Sequence, residues 1–409
     1  MNDTWSSAAR DARLRDHLVY ACARAPAVRE LFEKAAVDPE AVNGLADLAP
    51  LPVTTKDELL RRQIEDPPFG GFCAVPIEEL QRVYVSPGPL YEPSGVWDEA
   101  IWMHDVMAAH GVPRTGRALI SFSYHLVPAG LGLDDTLRGY GLVVVPAGVG
   151  NTDVQARVLR DLAIEVVCGT PSFVVTLLER AEETGLRWGH ELRVRFALIG
   201  AEAFTKALRA EMDRRRITVI QTYGTADVGL LGATCPVGTG FHLTEDAMVE
   251  IVEPGTGERL ETGEIGEVVV TSFSPSYPLV RFGTGDLAAL LPEPCSCGLP
   301  SPILSRLAGR IGDAVKVRGL FLHPGQVESA IDAIGGIGRY QVAVRRAGLR
   351  DELVVRIEVD GDGGEGVPER IEQRAREVWR VRPDRVETVP FGTLPEGGKV
   401  LVDERIWDG

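Results

Sequence analysis

The stretch Phe196-Ala197-Leu198-Ile199-Gly200-Ala201-Glu202 decides the fold class. Four apolar residues in a row, ended by glycine, make a short strand buried on both faces, as in a parallel sheet. Upstream, Ala118–Ser121, Leu142–Pro146 and Ile164–Cys168 are further strands, while Asp153–Leu162 and Phe173–Thr184 read as helices. Strands alternating with helices predict an α/β domain on a largely parallel sheet. Downstream, Val249–Glu253 and Gly266–Ser272 are strands joined through turn residues, so the domain has a β-rich subregion.

Toward the N-terminus, Leu14 and Leu18, then Val28, Leu31 and Phe32, recur at helical spacing, and Pro26 separates two helices. Thr54 and Thr55 are placed to cap a helix that begins at Lys56. Val83–Val85 is a short strand opening into a Pro/Gly turn. Beyond Gly309, Val315–Val317, Val342–Val344 and Leu353–Val359 read as strands, Gly325–Ile334 and Val367–Trp379 as helices, and Asp360–Gly366 as a loop. The expected domains are therefore 1–308 and a small α+β domain, 309–409.

A chain of 409 residues is too long for one compact domain. Lys plus Arg is 43 against 59 Asp plus Glu, a net charge of −16 that argues against nucleic-acid binding. No apolar run is long enough to span a bilayer, and Met1–Arg15 has no signal-peptide core, so a cytoplasmic location is expected. The six cysteines are then thiols or metal ligands rather than a disulfide framework.

Two glycine-containing turns carry the chemistry: Thr222-Tyr223-Gly224-Thr225-Ala226-Asp227 and Gly283-Thr284-Gly285-Asp286. Gly200 and Ala201 let a flat ring lie against backbone, and Tyr223 can stack on its other face. Asp227 is a candidate Mg²⁺ ligand, because Mg²⁺ prefers carboxylate oxygen and water. Asp286, an acceptor only, can take two hydrogen bonds from ribose hydroxyls. Each piece alone is an ordinary turn or cap. Their order, followed by Gly309-Arg310 and Glu396-Gly397-Gly398-Lys399, points to a bound nucleotide.

Cys235, His242, Cys295 and Cys297 form a Cys₃His set suited to tetrahedral Zn²⁺. With no open position, the site reads as structural, pinning two loops beside the nucleotide; the bland alternative is four unrelated groups near a turn. Asp246 is a candidate outer partner of His242. Cys22, Cys73 and Cys168 read as small core residues.

Over nearly its whole length, from Leu51-Pro52-Val53-Thr54-Thr55-Lys56-Asp57 through these motifs to Val315-Lys316-Val317-Arg318-Gly319 and Lys399, the chain resembles the phenylacetate–CoA ligase branch of the adenylate-forming superfamily. The resemblance implies an AMP-forming ligase that activates a carboxylic acid as its adenylate and transfers it to CoA. Its substrates would be ATP, CoA and a small, aryl or arylacetic acid, with Mg²⁺ as cofactor and a homodimer allowed. It implies that Gly200, Ala201 and Glu202 line the adenine site, Tyr223 stacks on adenine, Thr225 meets the phosphate, Asp227 replaces a metal-binding Glu, and Asp286 and Arg310 hold the ribose. Lys399, on a mobile C-terminal domain, would bridge the acyl carboxylate and the nucleotide. Tyr124 and His125 lie where the branch recognises its acid; a packed aromatic and a satisfied histidine is the plain alternative.

Two departures stand out. The branch's phosphate loop reads like Ser-Ser-Gly-Thr-Thr-Gly-Lys-Pro; this chain has Ser86-Pro87-Gly88-Pro89-Leu90-Tyr91-Glu92-Pro93. The threonines and lysine are gone, two prolines remove N–H donors, and a glutamate has arrived. Three readings stay open. Ser86, Gly88 and Tyr91 serve the phosphates with Mg²⁺; or the chain takes a preformed acyl-adenylate or runs a partial reaction; or it only binds the ligand. A transfer to an amine or a carrier thiol is a further alternative. At the hinge, Gly312 stands where the branch has an acidic residue, and glycine permits the backbone change of a pivot.

Overall fold

The computed structural model describes residues 7–86, 89–95, 101–307, 309–311, 315–318, 320–322, 324–334, 337–348, 350–359, 366–395 and 398–405; Gly88, Gly312, Glu396 and Gly397 lie outside them. The chain divides into two compact units, Met1–Ala201 with Ala210–Gly309, and Glu202–Arg209 with Arg310–Asp408.

The first unit is built on an eight-stranded sheet. Across it run Ile303–Leu304, Phe241–Leu243, Gly229–Thr234, Thr218–Thr225, Phe196–Ile199, Val166–Gly169, Arg117–Ile120 and Val143–Pro146. From Thr218–Thr225 to Val143–Pro146 the neighbours are parallel; on the other side they are antiparallel. The parallel part follows from its connections: helices Pro128–Tyr140, Thr152–Asp161 and Pro171–Glu183 separate successive strands. Phe196–Ile199 and Val166–Gly169 are buried at every position, as all-apolar strands in a covered sheet must be.

An antiparallel sheet of Ala247–Val252, Gly266–Ser272 and Phe282–Ala288 supplies the β-rich subregion. Leu231, Phe241, Leu243, Val249, Ile251, Val268 and Val270 form one apolar core between the sheets. The helices Ser7–Arg24 and Pro26–Ala35 bury Leu14, Leu18, Val28 and Phe32 in a second core with Phe72, Leu279 and Phe282; Pro26 opens the second helix.

Buried Arg281 ties the segments together. It pairs with Glu250 at 3.3 Å and donates to the carbonyls of Leu48, Ala49, Leu51 and Gly257. Removing it would leave a buried carboxylate and several carbonyls without a donor.

Three local expectations change. Thr55 alone caps the helix Lys56–Glu65, accepting from Glu58 N; Thr54 is buried and its backbone pairs with Arg281 and Gly283. Gly283–Asp286 lies inside the strand Phe282–Ala288, not in a turn. Arg82–Ser86 does not simply open into a turn: it pairs antiparallel with Leu90–Ser94, making a hairpin of the altered loop. Pro93 obscures the second strand in the sequence, yet a two-stranded sheet has only edge strands, where proline is tolerated.

In the second unit, a four-stranded sheet runs Arg385–Val389, Arg350–Val359, Ile337–Ala347, Leu401–Asp403. Val342, Val344, Leu353, Val355 and Ile357 pack against Ile371, Ala375 and Trp379, with helices Pro324–Ile331 and Val367–Val378 supplying the apolar faces.

Candidate active site

The strand Phe196–Ile199 ends at the C-terminal edge of the parallel strands, where open α/β sheets hold ligands. The chain there leaves no room for side chains. A Cβ on Gly200 would lie 2.4 Å from Thr222 Oγ1, which itself donates to Ile199 O at 3.0 Å. Ala201 follows in the left-handed region, φ +65°. A Cβ on Gly224 would meet Gly229 O at 2.4 Å and Leu230 Cα at 2.9 Å, so only glycine fits this bulge of the hairpin.

The two motifs stand in different sheets and meet through a side chain. Tyr223, on Thr218–Thr225, donates from its hydroxyl to Asp286 Oδ2 at 3.0 Å and lies 3.4 Å from Thr284 Oγ1. Its ring tilts against Phe241 at 5.7 Å between centroids. Asp286 and Thr284 are themselves buried. Glu267 accepts from Gly285 N at 3.2 Å; burial, and then the charge of Asp286, hold its carboxyl above the ordinary range. Thr225 is turned to the backbone, where its Oγ1 accepts from Val228 N at 3.4 Å.

Asp227 is buried in the turn after Thr225, and its Oδ1 lies 3.4 Å from Lys56 Nζ. Lys56 opens the helix capped by Thr55, and Gln63 on the same helix exchanges two hydrogen bonds of 2.8 Å with the Tyr91 backbone. One helix thus braces both Asp227 and the altered hairpin. Alternation on the hairpin turns Tyr84, Ser86, Leu90 and Glu92 inward and Val83 and Tyr91 outward. Ser86 and Tyr91, expected to serve the same phosphates, therefore lie on opposite faces, and Tyr91 is 43% exposed. Glu92, the carboxylate that the altered loop introduces, is buried. Burial first, and the charge of Asp227 second, push its carboxyl up to about 8. Lys56 and Gln63 were not singled out from the sequence; their spacing of seven on a capped helix, which puts them on one face, was the available signal.

Tyr124 donates to Asp134 Oδ2 at 2.9 Å, and burial, with that bond, raises its hydroxyl well above the ordinary value. His125 is exposed, its N–H donating to Ser123 Oγ at 3.1 Å. The adjoining Leu126 carbonyl accepts from Val85 N at 2.6 Å, so this loop docks on the hairpin.

Cys235, His242, Cys295 and Cys297 do come together: their ligand atoms all lie within 4.8 Å of one another. Cys235 Sγ is 3.5 Å from Cys295 Sγ, and Cys297 Sγ is 3.4 Å from His242 Nε2. A tetrahedral ion with Zn–S bonds of ~2.3 Å spaces its sulfurs by ~3.8 Å, so the donor set fits. His242 Nδ1 is held by Ser301 Oγ at 2.8 Å, the outer contact that fixes which ring nitrogen faces the thiols. Asp246, the expected outer partner, is engaged instead by Arg13 and Thr244. The four residues join the antiparallel edge of the large sheet: Cys235 follows Gly229–Thr234, His242 is on Phe241–Leu243, and both remaining cysteines precede Ile303–Leu304, which pairs with His242.

In the second unit, Lys399 is exposed just before Leu401–Asp403, and its carbonyl accepts from Gln341 Nε2 at 3.4 Å. Arg310 lies in the two-residue strand Gly309–Arg310. Glu202 groups with this unit, where Arg346 donates to it at 3.3 Å.

A glycine-lined ledge at the ends of parallel strands thus lies beside a tyrosine of the same sheet, whose hydroxyl holds a buried aspartate of the neighbouring sheet. Two family models match the chain: AMP-binding enzyme over residues 136–274 and AMP-binding enzyme C-terminal domain over residues 319–408. The chain is 35% identical to the phenylacetate-coenzyme A ligase of Thermus thermophilus, over 86% of this chain and 81% of that one. It is 32% identical to the enzyme of the same name from Escherichia coli, over 85% and 81%. In fold it matches 2-hydroxyisobutyryl-CoA ligase, solved with 2-HIB-AMP and CoA, at a TM-score of 0.88, 24% identity and coverage of 97% and 89%. The chain belongs to the AMP-binding enzymes, in the branch of the phenylacetate–CoA ligases, which are AMP-forming acid–CoA ligases.

Proposed function

We propose that this enzyme activates an aryl or arylacetic acid with ATP and passes the acyl group to CoA. The observation that carries the site assignment is the Tyr223–Asp286 hydrogen bond, which brings two motifs from separate sheets to one place beside the Gly200 ledge. Adenine lies along Gly200 and Ala201 in this reading, with Tyr223 stacked on its other face. Asp286 takes the ribose hydroxyls, and Arg310 and Glu202 complete the adenosine site. Thr225 and Ser86 approach the phosphates. Tyr91, facing outward, is not needed for that role. Lys399 places its ammonium between the acid carboxylate and the α-phosphate, where a fixed positive charge stabilises the charge that develops. The acid's carboxylate displaces pyrophosphate from the α-phosphorus, and the CoA thiol then displaces AMP from the acyl carbonyl.

Asp227 would hold Mg²⁺, which when bound screens the triphosphate. Cys235, His242, Cys295 and Cys297 would hold a structural Zn²⁺ that fixes the loops around both nucleotide motifs. Tyr124 is a wall of the acid pocket through its ring, because its hydroxyl is committed to Asp134. His125, exposed, contributes at the mouth.

Pyrophosphate release from ATP·Mg²⁺ with a panel of carboxylic acids tests the reading. Release that depends on an aryl acid, followed by an acyl-CoA product, is expected. No release with any acid, together with conversion of supplied acyl-AMP to thioester, favours the second reading, a partial reaction, which the altered hairpin makes specific.

A further inference from the structure

The altered hairpin buries polar atoms that no hydrogen bond among the described residues satisfies. Both carboxylate oxygens of Glu92, Ser86 Oγ and Tyr277 Oη have no hydrogen-bond partner among the described residues, and Asp227 Oδ1 has only the 3.4 Å ion pair with Lys56. All four side chains are more than nine-tenths buried: Ser86 is 1%, Glu92 3%, Tyr277 4% and, in the ion pair, Asp227 5% exposed. They occupy one locality. Ser86 and Glu92 share the inner face of the hairpin, and the helix Lys56–Glu65 brings that hairpin to Asp227 through Gln63 and Lys56. Tyr277 is close enough that the charges of Asp227 and Glu92, after burial itself, hold its proton on.

A buried polar atom without a partner costs free energy, and two adjacent carboxylates cost more. Native proteins keep such groups when water, an ion or a ligand satisfies them. One ammonium, Lys56, pairs with Asp227 and reaches Glu92 only through its charge, so a single cation stands against two buried carboxylates. Two buried carboxylates and a hydroxyl are the donor set of a hard divalent cation, and they contain no nitrogen or sulfur that would favour a softer metal.

We propose that Glu92 and Asp227 together hold one divalent cation, with the Ser86 hydroxyl beside it. This rests on the reading of Asp227 as the Mg²⁺ ligand and adds a second carboxylate to it. Glu92 is then no barrier to an anionic phosphate. With both carboxylates ionised, the two acids and Lys56 sum to a single negative charge; a divalent ion turns the locality positive. The hairpin has exchanged hydroxyl and ammonium donors for a carboxylate that brings in a metal.

The test is Mn²⁺ binding to the full, zinc-replete chain without nucleotide, followed by the electron paramagnetic resonance signal of free Mn²⁺. One Mn²⁺ per chain is expected, with affinity falling at least tenfold in Glu92→Gln and in Asp227→Asn, and only partly in Glu92→Asp. Mn²⁺ binding in Glu92→Gln or Asp227→Asn equal to the parent, or none in the parent, overturns the proposal. Should Glu92→Gln not fold, Asp227→Asn and Glu92→Asp decide it by the same comparison. Acid-dependent pyrophosphate release by the parent is scored separately. Turnover with Mn²⁺ binding indifferent to Glu92 removes the proposal and leaves the ligase reading; Glu92-dependent Mn²⁺ binding with no turnover removes the ligase reading and leaves the site.

Discussion

Replacing Tyr223 by phenylalanine keeps the ring against Phe241 and removes only the hydroxyl that donates to Asp286 at 3.0 Å. Both residues are buried, so Asp286 cannot recover that bond from bulk water. A hydrogen bond to a charged group contributes about 1.5–3 kcal/mol. With a factor of ten for every ~1.4 kcal/mol, full loss of that orientation weakens nucleoside binding by roughly 10- to 150-fold. Calorimetry with AMP reads this directly, and adenosine lacking its ribose hydroxyls serves as the control. Tyr223→Phe should lose affinity for AMP while the deoxygenated nucleoside binds both proteins alike. Tyr223→Leu, which removes the ring as well, should lose more again. Equal AMP affinity in parent and Tyr223→Phe would refute the claim that the hydroxyl orients Asp286 for ribose.

Lys399→Ala should slow adenylation by at least a hundredfold, yet spare thioester formation from supplied acyl-AMP; equal loss of both steps in rapid-quench assays removes the assigned role. Stripping metal, or Cys297→Ser, should take metal content from about one zinc per chain toward zero and lower the melting temperature by ~5 °C or more, as loss of a few kcal/mol does in a unit of this size; well-folded, metal-free protein with an unchanged melting temperature contradicts the zinc site. Half-buried His17, packed on Phe273 at 5.3 Å, is held down to about 4 by desolvation and then by Arg13. Its folded value lies below the ordinary 6.5, so its contribution is present above pH 6.5 and is lost as pH falls toward 4. By pH 5 the loss is roughly 2 kcal/mol, and His17→Gln should flatten that part of the denaturant-midpoint profile; an unchanged slope assigns the acid sensitivity elsewhere.

The sheets were legible because their signal is local. Phe196–Ile199 and Gly266–Ser272 were read to the residue, since an unbroken apolar run bounded by glycine has few other uses. Pro26 marked a helix start because its ring fits the first turn. The cysteine cluster was legible for a different reason: thiols and imidazole have a narrow chemistry, and four of them in two short segments were enough to expect that they meet. What stayed hidden depends on which face a residue takes and on partners far along the chain. Nothing near Asp286 in sequence reveals that a tyrosine from another sheet binds it. Glu92 stood out only as a carboxylate arriving in the phosphate loop, and the pairing that turns it inward was masked by Pro93 and Pro89. Ser301, 59 residues from His242, has no pattern to distinguish it from any other serine in a loop.

The central claim is that this chain cleaves ATP to make an acyl-adenylate despite its altered hairpin. Mass spectrometry of products from purified, zinc-replete protein with an arylacetic acid, ATP, Mg²⁺ and CoA tests it most directly. The account predicts AMP and pyrophosphate in equal amounts, with acyl-CoA in step with both, and acyl-AMP accumulating when CoA is withheld. AMP and pyrophosphate absent with every acid in the panel, from folded protein that still binds AMP, would contradict it.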